Sequence, residues 1–189
     1  ISPGCIENET ASFARKSPND FVMPEGGLGI RRGDHRHDQE ARLHAYKMQA
    51  VKAYVRANHL DRVTLDGGAA PRFGIVSTGK AYMDVVQALA DLGIDEKTAE
   101  RLGVRVYKIG MSWPVEPEGL KAFASGLERI LVVEEKRGLL ESQLKEILYD
   151  AERPPQIFGK RDIDGQRLLT EEGSITATEV AKVIAGNLL

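Results

Sequence analysis

Cysteine is almost missing from this sequence: Cys5 is the one cysteine in 189 residues. An internal disulfide is therefore impossible, and so is a thiolate metal cage or an all-cysteine iron–sulfur site within the chain. Charge of one sign is missing too. Lys and Arg number 26 against 28 Asp and Glu, a net −2 at pH 7, so there is no electrostatic case for a nucleic acid or an anionic membrane surface as partner. No apolar run approaches the roughly 18 residues of a membrane helix. The opening Ile1–Gly4 has no basic segment followed by an apolar one, so no secretory signal is expected and the cytoplasm is the expected location. An initiator methionine is lacking as well, which suggests a processed product or a piece of a longer chain. Short catalytic signatures are also missing: there is no Gly-x-Ser-x-Gly, His-Glu-x-x-His or Gly-x-Gly-x-x-Gly. No internal repeat is visible.

What is there reads as an ordinary globular chain, 42 % hydrophobic and 29 % charged, long enough for one domain or one domain with a flanking arm. Residues 1–38 carry Pro3, Pro18, Pro24 and a run of glycines with little apolar periodicity, and are read as an irregular arm. Residues 39–189 are read as an α/β domain, with a leading helix over 39–60, a sheet core over 62–160 and a C-terminal helix over 176–189. From Gln39 the positions Leu43, Tyr46, Ala50, Tyr54 and Ala57 form one helical stripe ending near Asn58. Short β-branched runs then alternate with helical ones. Arg62–Leu65, Phe73–Ser77, Val104–Ile109, Ile130–Val133 and Gln156–Phe158 read as strands. Lys80–Leu92 reads as a helix stopped by Gly93. Leu120–Leu127 and Leu140–Leu148 mark two more, the first with Pro117 in its opening turn. Thr176 and Glu179 form a capping box before Val180, Val183, Ile184 and Leu188. The alternation predicts a largely parallel sheet between layers of helices.

Four places are candidates for chemistry. Gly74–Ala81 nearly matches a phosphate loop, but Ala81 stands where a magnesium-binding hydroxyl belongs, and Gly74–Val76 read as strand. What remains is a tight turn, Ser77-Thr78-Gly79, opening a helix at Lys80 where an anion is able to sit. Asp34-His35-Arg36-His37-Asp38 has metal-ligand residue types, but a loop enforces no coordination geometry and Arg36 is a poor neighbour for a cation. Glu134, Glu135, Lys136 and Arg137 follow an apolar strand, where open α/β sheets bind ligands; helix capping and exposed ion pairing are the favoured explanation by residue type. Trp113, the one tryptophan, stands beside Pro114 in a stiff loop after Val104–Ile109 and is read as an anchor in a core or an interface.

Three segments carry a resemblance. Arg72–Asp84, Tyr107–Gly119 and Ile130–Tyr149 are similar, in order and spacing, to the middle of the long, fused, bacterial-type indolepyruvate ferredoxin oxidoreductases. Pro24–Arg31 and Gln39–Lys47 resemble the same family, and the similarity runs from about residue 21 to 189. The resemblance implies a three-layer α/β/α fold like the C-terminal domain of transketolase, with an about five-stranded, mostly parallel sheet and one antiparallel strand. Arg62–Leu65 is a candidate for an added strand. It also implies a parent enzyme that uses thiamine diphosphate with Mg and iron–sulfur clusters. That enzyme decarboxylates an aryl 2-oxoacid, passes the acyl group to coenzyme A and sends electrons to ferredoxin.

The departures decide what is expected of this piece. Asp66-Gly67 and Asp164-Gly165 lack the preceding glycine and the downstream asparagines of the thiamine diphosphate motif, and cluster ligation needs several cysteines. Asp34–Asp38 also departs from the more apolar stretch associated with that position. No catalytic, cofactor or metal residue is therefore assigned, and the isolated chain is expected to be inactive. The leading expectation is a structural and interaction domain whose partners are other domains or subunits of the oxidoreductase. Its candidate interface is Ser77, Thr78, Lys80, Trp113, Pro114, Glu134, Glu135 and Arg137. The alternative is a stand-alone domain binding a nucleotide or coenzyme A phosphate at the Ser77–Lys80 turn. A metalloenzyme built on His35 and His37 is the least favoured reading.

Overall fold

A computed structural model describes residues 15–188. Pro3, Gly4 and Cys5, in the expected arm, lie outside the described residues. The chain divides into two compact units after Leu60, so the leading helix groups with the residues before it.

In the first unit, α1 (Arg36–Arg42) begins three residues ahead of the expected Gln39, because the His35 side chain accepts from the His37 N–H at 3.3 Å and caps it. It passes through a π-helical turn (Leu43–Lys47) into α2 (Met48–Ala57). Asn58 closes α2 by donating to the Tyr54 carbonyl at 3.0 Å and exchanges hydrogen bonds with the Lys16 backbone.

The second unit is the α/β domain. Its strands are β1 (Arg62–Leu65), β2 (Phe73–Thr78), β3 (Val104–Ile109), β4 (Arg129–Val133) and β5 (Gln156–Phe158). Its helices are α3 (Gly79–Asp91), α4 (Glu96–Leu102), α5 (Pro117–Ala124), α6 (Leu139–Leu148) and α7 (Ala177–Leu188). The five strands lie in the order β1-β3-β2-β4-β5. β3, β2, β4 and β5 are parallel, and β1 runs antiparallel along β3 at one edge. The five-stranded, mostly parallel α/β/α fold expected from the sequence is the one observed, and the added strand is the antiparallel one.

Period-2 alternation builds the two halves of the core. Phe73, Ile75, Leu131 and Val133 face α3, α4 and α7 through Ala81, Val85, Leu89, Ala99, Val180 and Ile184. Val76, Ile130 and Val132 face α5 and α6 through Leu120, Phe123, Leu140 and Leu144. Both faces of β2 and β4 are thus covered, which is why these strands read as unbroken apolar runs. Gly93 ends α3 with φ at +67°, as its position predicts. Thr176 and Glu179 exchange the reciprocal bonds of a capping box at α7. Helix α4 is the element the periodicity does not reveal: it is only about two turns long, with Asp95 capping it by accepting from the Thr98 N–H at 2.8 Å and Ala99 as its buried contact.

Candidate interaction site at the carboxyl edge of the sheet

The chain leaves β2 toward β3 over one face and leaves β4 toward β5 over the other. Adjacent strands whose connections diverge open a crevice at their carboxyl ends, the place where open α/β sheets hold ligands. Ser77, Thr78, Lys80, Glu134 and Glu135 all come to this crevice, as their positions at strand ends predict.

Here, however, the chain fills the crevice with its own groups. Ser77 is fully buried and its Oγ donates to the Val133 carbonyl at 2.7 Å, tying β2 to β4. Thr78 Oγ1 donates to the Ile109 carbonyl at 2.8 Å, tying β2 to β3. Lys80 Nζ lies 2.7 Å from Asp84 and 3.4 Å from Glu135, and also donates to the Ile175 carbonyl. The hydrogen bond it donates to Asp84 is the main reason its ammonium titrates above the ordinary lysine range. Glu134, only 4 % exposed, accepts from the Leu140 and Glu141 N–H groups at 2.7 and 2.9 Å and so caps α6. Burial pushes its carboxyl up, while those amides and Lys160 pull it back. Lys160 is itself buried, donating to the carbonyls of Glu134 and Thr170. Burial draws its ammonium below the usual lysine range against the pull of Glu134 and Glu135.

The segment around 170–175 closes the mouth. Lys136 Nζ donates to the Gly173 carbonyl, Lys160 to Thr170 and Lys80 to Ile175, while Glu135 accepts from the Ile175 N–H at 3.4 Å. Each ammonium and carboxylate here is met by an opposite charge or a backbone group, and the turn hydroxyls are committed to carbonyls. Nothing in this arrangement is free to act as a nucleophile, a general base or a phosphate cradle. The phosphate-binding alternative at Ser77–Lys80 is not favoured by this geometry. Ser77 and Glu134, named among the interface candidates, are interior and present no surface; Arg137 is exposed.

Beside the crevice, the loop after β3 is built to display a side chain. Asp61 Oδ1 accepts from the Gly110 and Met111 N–H groups at 2.7 and 3.2 Å. From α6, the Gln143 amide accepts from Val115 N–H at 2.9 Å and donates to the Ser112 carbonyl at 3.0 Å. Val115 is buried, and Glu116, buried behind it, caps α5 through the Glu118 and Gly119 N–H groups, with Pro117 in its first turn. Between these fixed points Trp113 is 60 % exposed, with Pro114 half-buried beside it. Asp61, Gln143 and Lys160 escape sequence reading because each acts through hydrogen bonds to residues distant in sequence, which no local pattern marks.

Elsewhere, His35 is the cap of α1 and its ring stands edge-on to His37 at 4.8 Å. Among the described residues no three His, Cys, Asp or Glu side chains converge to hold a metal ion. No helix among them is long and apolar enough to cross a membrane.

The fold and this edge define an α/β domain whose usual ligand crevice is closed from within and whose neighbouring loop presents an aromatic side chain. Sequence comparison gives the family. A model of the indolepyruvate oxidoreductase domain matches residues 63–189, and the chain belongs to that family. The indolepyruvate oxidoreductase subunit IorA of Methanothermobacter thermautotrophicus is 30 % identical over 157 residues, 83 % of this chain and 22 % of that protein. The IorA of Pyrococcus horikoshii is 36 % identical over 96 residues, 51 % of this chain and 14 % of that protein. The chain therefore spans only 14–22 % of the length of these curated relatives. Among solved structures, the 2-oxoglutarate:ferredoxin oxidoreductase of Magnetococcus marinus is similar at a TM-score of 0.47 and 14 % identity, over 89 % of this chain and 26 % of that one. A split-gene transketolase, an inactive β4 tetramer, is similar at a TM-score of 0.47 and 23 % identity, over 68 % of this chain and 41 % of that one.

Proposed function

We propose that this chain is a non-catalytic structural and interaction domain of an indolepyruvate ferredoxin oxidoreductase. Its task is to hold neighbouring domains or subunits in register. The parent enzyme converts an aryl 2-oxoacid to an acyl-CoA with electrons passing to ferredoxin, using thiamine diphosphate with Mg and iron–sulfur clusters, in the cytoplasm. The residues of this chain do not fit those cofactors. The turn hydroxyls that face the crevice are bound to carbonyls, Lys80 is held between carboxylates, and Cys5 alone is no cluster site. No step of the reaction is assigned to this chain.

The observation that carries the reading is the clamped Trp113 loop. An exposed indole on a braced loop loses little entropy on burial, and Trp is enriched among the residues that dominate interfaces. The candidate surface narrows to Trp113 and Pro114, with Thr78, Lys80, Glu135 and Arg137 at the same edge. In the full-length enzyme, Trp113→Ala should weaken domain or subunit association by about 2 kcal/mol or more and lower indolepyruvate-dependent electron transfer. The same change in the isolated chain should leave its Tm nearly unchanged. Unaltered assembly and activity in the full-length variant would remove Trp113 from the interface.

A further inference from the structure

A cavity of about 360 Å³ opens between α7, the strand β5 and the turn that follows it, away from the carboxyl-edge crevice. Its walls are mainly apolar. Phe158 and Val183 are buried in the core beside it, Leu168 adds a third apolar side, and Ile163 stands at the rim with 63 % of its surface exposed. The frame is firm: the Arg129 guanidinium donates to the Asn187 carbonyl at 2.6 Å, and Asn187 donates in turn to the Val183 carbonyl at 2.8 Å, fixing the last turn of α7. An apolar box with a few polar groups at its mouth is the usual form of a small-molecule site.

Two features give the ligand its chemistry. Among the lining residues Arg129 is satisfied by Asn187, and Asp162 Oδ1 accepts from the Asp164 and Gln166 N–H groups at 3.0 and 2.7 Å. Lys182, exposed at the rim, also lines the cavity, and among the described residues it makes no hydrogen bond or ion pair; its charge helps hold down the Glu179 carboxyl, one turn earlier. The second feature is Gly186. Glycine in a helix is unfavourable relative to alanine, yet a Cβ built at Gly186 would meet no atom within 4 Å. Gly186 is exposed and lines the cavity mouth, so a larger side chain there has open space to enter it.

We propose that this cavity binds a small amphiphilic monocarboxylate, its apolar body between Phe158, Leu168 and Val183 and its carboxylate at Lys182. The site lies apart from the Trp113 surface, so the proposal does not depend on the interface reading.

The test uses the full 189-residue chain and three probes: 3-phenylpropionate, its neutral amide, and acetate. The acid should shift the Ile163 and Val183 methyl resonances saturably. The amide should bind about tenfold more weakly, as loss of one charge-assisted contact implies, and acetate should not bind. Lys182→Gln should bring the acid down to the affinity of the amide. Gly186→Leu should abolish binding of both, and Gly186→Ala reports whether substitution there leaves the fold intact. Ile163→Asp, at an exposed position, should weaken the acid more than the amide without touching the core. Equal binding of acid and amide, shifts confined to other residues, or affinity that survives both Gly186→Leu and Ile163→Asp would each overturn the assignment.

Discussion

At the scale of single residues, the most consequential group is one with no catalytic signature. Asp61 holds the base of the Trp113 loop with one carboxylate oxygen, while its other oxygen is buried with no hydrogen-bond partner among the described residues. Burial is the main reason its carboxyl titrates above the usual range; the loop amides oppose this and Glu116 adds to it. Burial, with Asp61 and Glu116 nearby, likewise pushes the Tyr107 phenol up. A carboxyl raised on folding binds its proton more tightly in the native state. Its contribution is therefore present at low pH and lost as pH rises through the folded-state value. Asp61→Asn keeps an accepting oxygen and removes the charge, so it should stay within about 1 kcal/mol of the parent at neutral pH and flatten that part of the pH dependence. Asp61→Ala orphans two amides and should cost about 1–3 kcal/mol. Urea unfolding across the acid range separates the two; an Asn variant as damaged as the Ala variant would contradict this account.

Among the elements, β2 shows how close packing rules out the phosphate-loop reading. Gly74 lies in mid-strand, and a Cβ there would stand 2.6 Å from Leu127 Cδ1 and 2.9 Å from Phe123 Cζ. The glycine lets the α5 layer approach the sheet; it does not wrap an anion. Gly74→Ala should destabilise by about 1–3 kcal/mol through overpacking, read as a lower midpoint in thermal or urea unfolding. Adding Leu127→Val should recover part of the loss, because it trims the nearest atom. If the double variant is as unstable as the sum of the single ones, the clash lies elsewhere. At α5, α6 and α7 the helix starts are held by carboxylates (Glu116, Glu134 and Glu179) accepting backbone amides, an arrangement the helix dipole favours.

For the molecule as a whole, the unit beginning at Asp61 contains both halves of the sheet-flanking core and nearly coincides with the matched domain. Residues 61–189 alone should therefore unfold in one cooperative transition, seen as coincident circular dichroism and fluorescence curves. Residues 61–168 should not, since they lack Val180, Val183 and Ile184 of α7 and the segment that seals the crevice. A stable, cooperative 61–168 fragment would show that α7 is dispensable to the core. The sealed crevice and the displayed indole also belong to this scale: one fills the sheet edge with the chain's own groups, the other leaves an exposed aromatic side chain beside it.

The sequence by itself determined where the strands and most helices run. Apolar runs and period-2 alternation place β2, β3 and β4, and Gly93, Pro117 and the Thr176–Glu179 pair mark helix ends, because these signals act within a turn or a strand. It also excluded a cysteine-built cluster site, since composition alone settles that. Only the tertiary structure decided what the chemistry-bearing residues do. Ser77 finds its carbonyl 56 residues away in β4 and Thr78 finds one 31 residues away in β3. The strand order brings those partners together, and no local pattern encodes it. For the same reason Asp61, Gln143 and Lys160 were silent in the sequence, and β1 could not be seen there to run antiparallel. Trp113 stands out in the sequence as the one tryptophan, but whether it faces a core or solvent depends on Asp61 and Gln143 holding its loop at the surface.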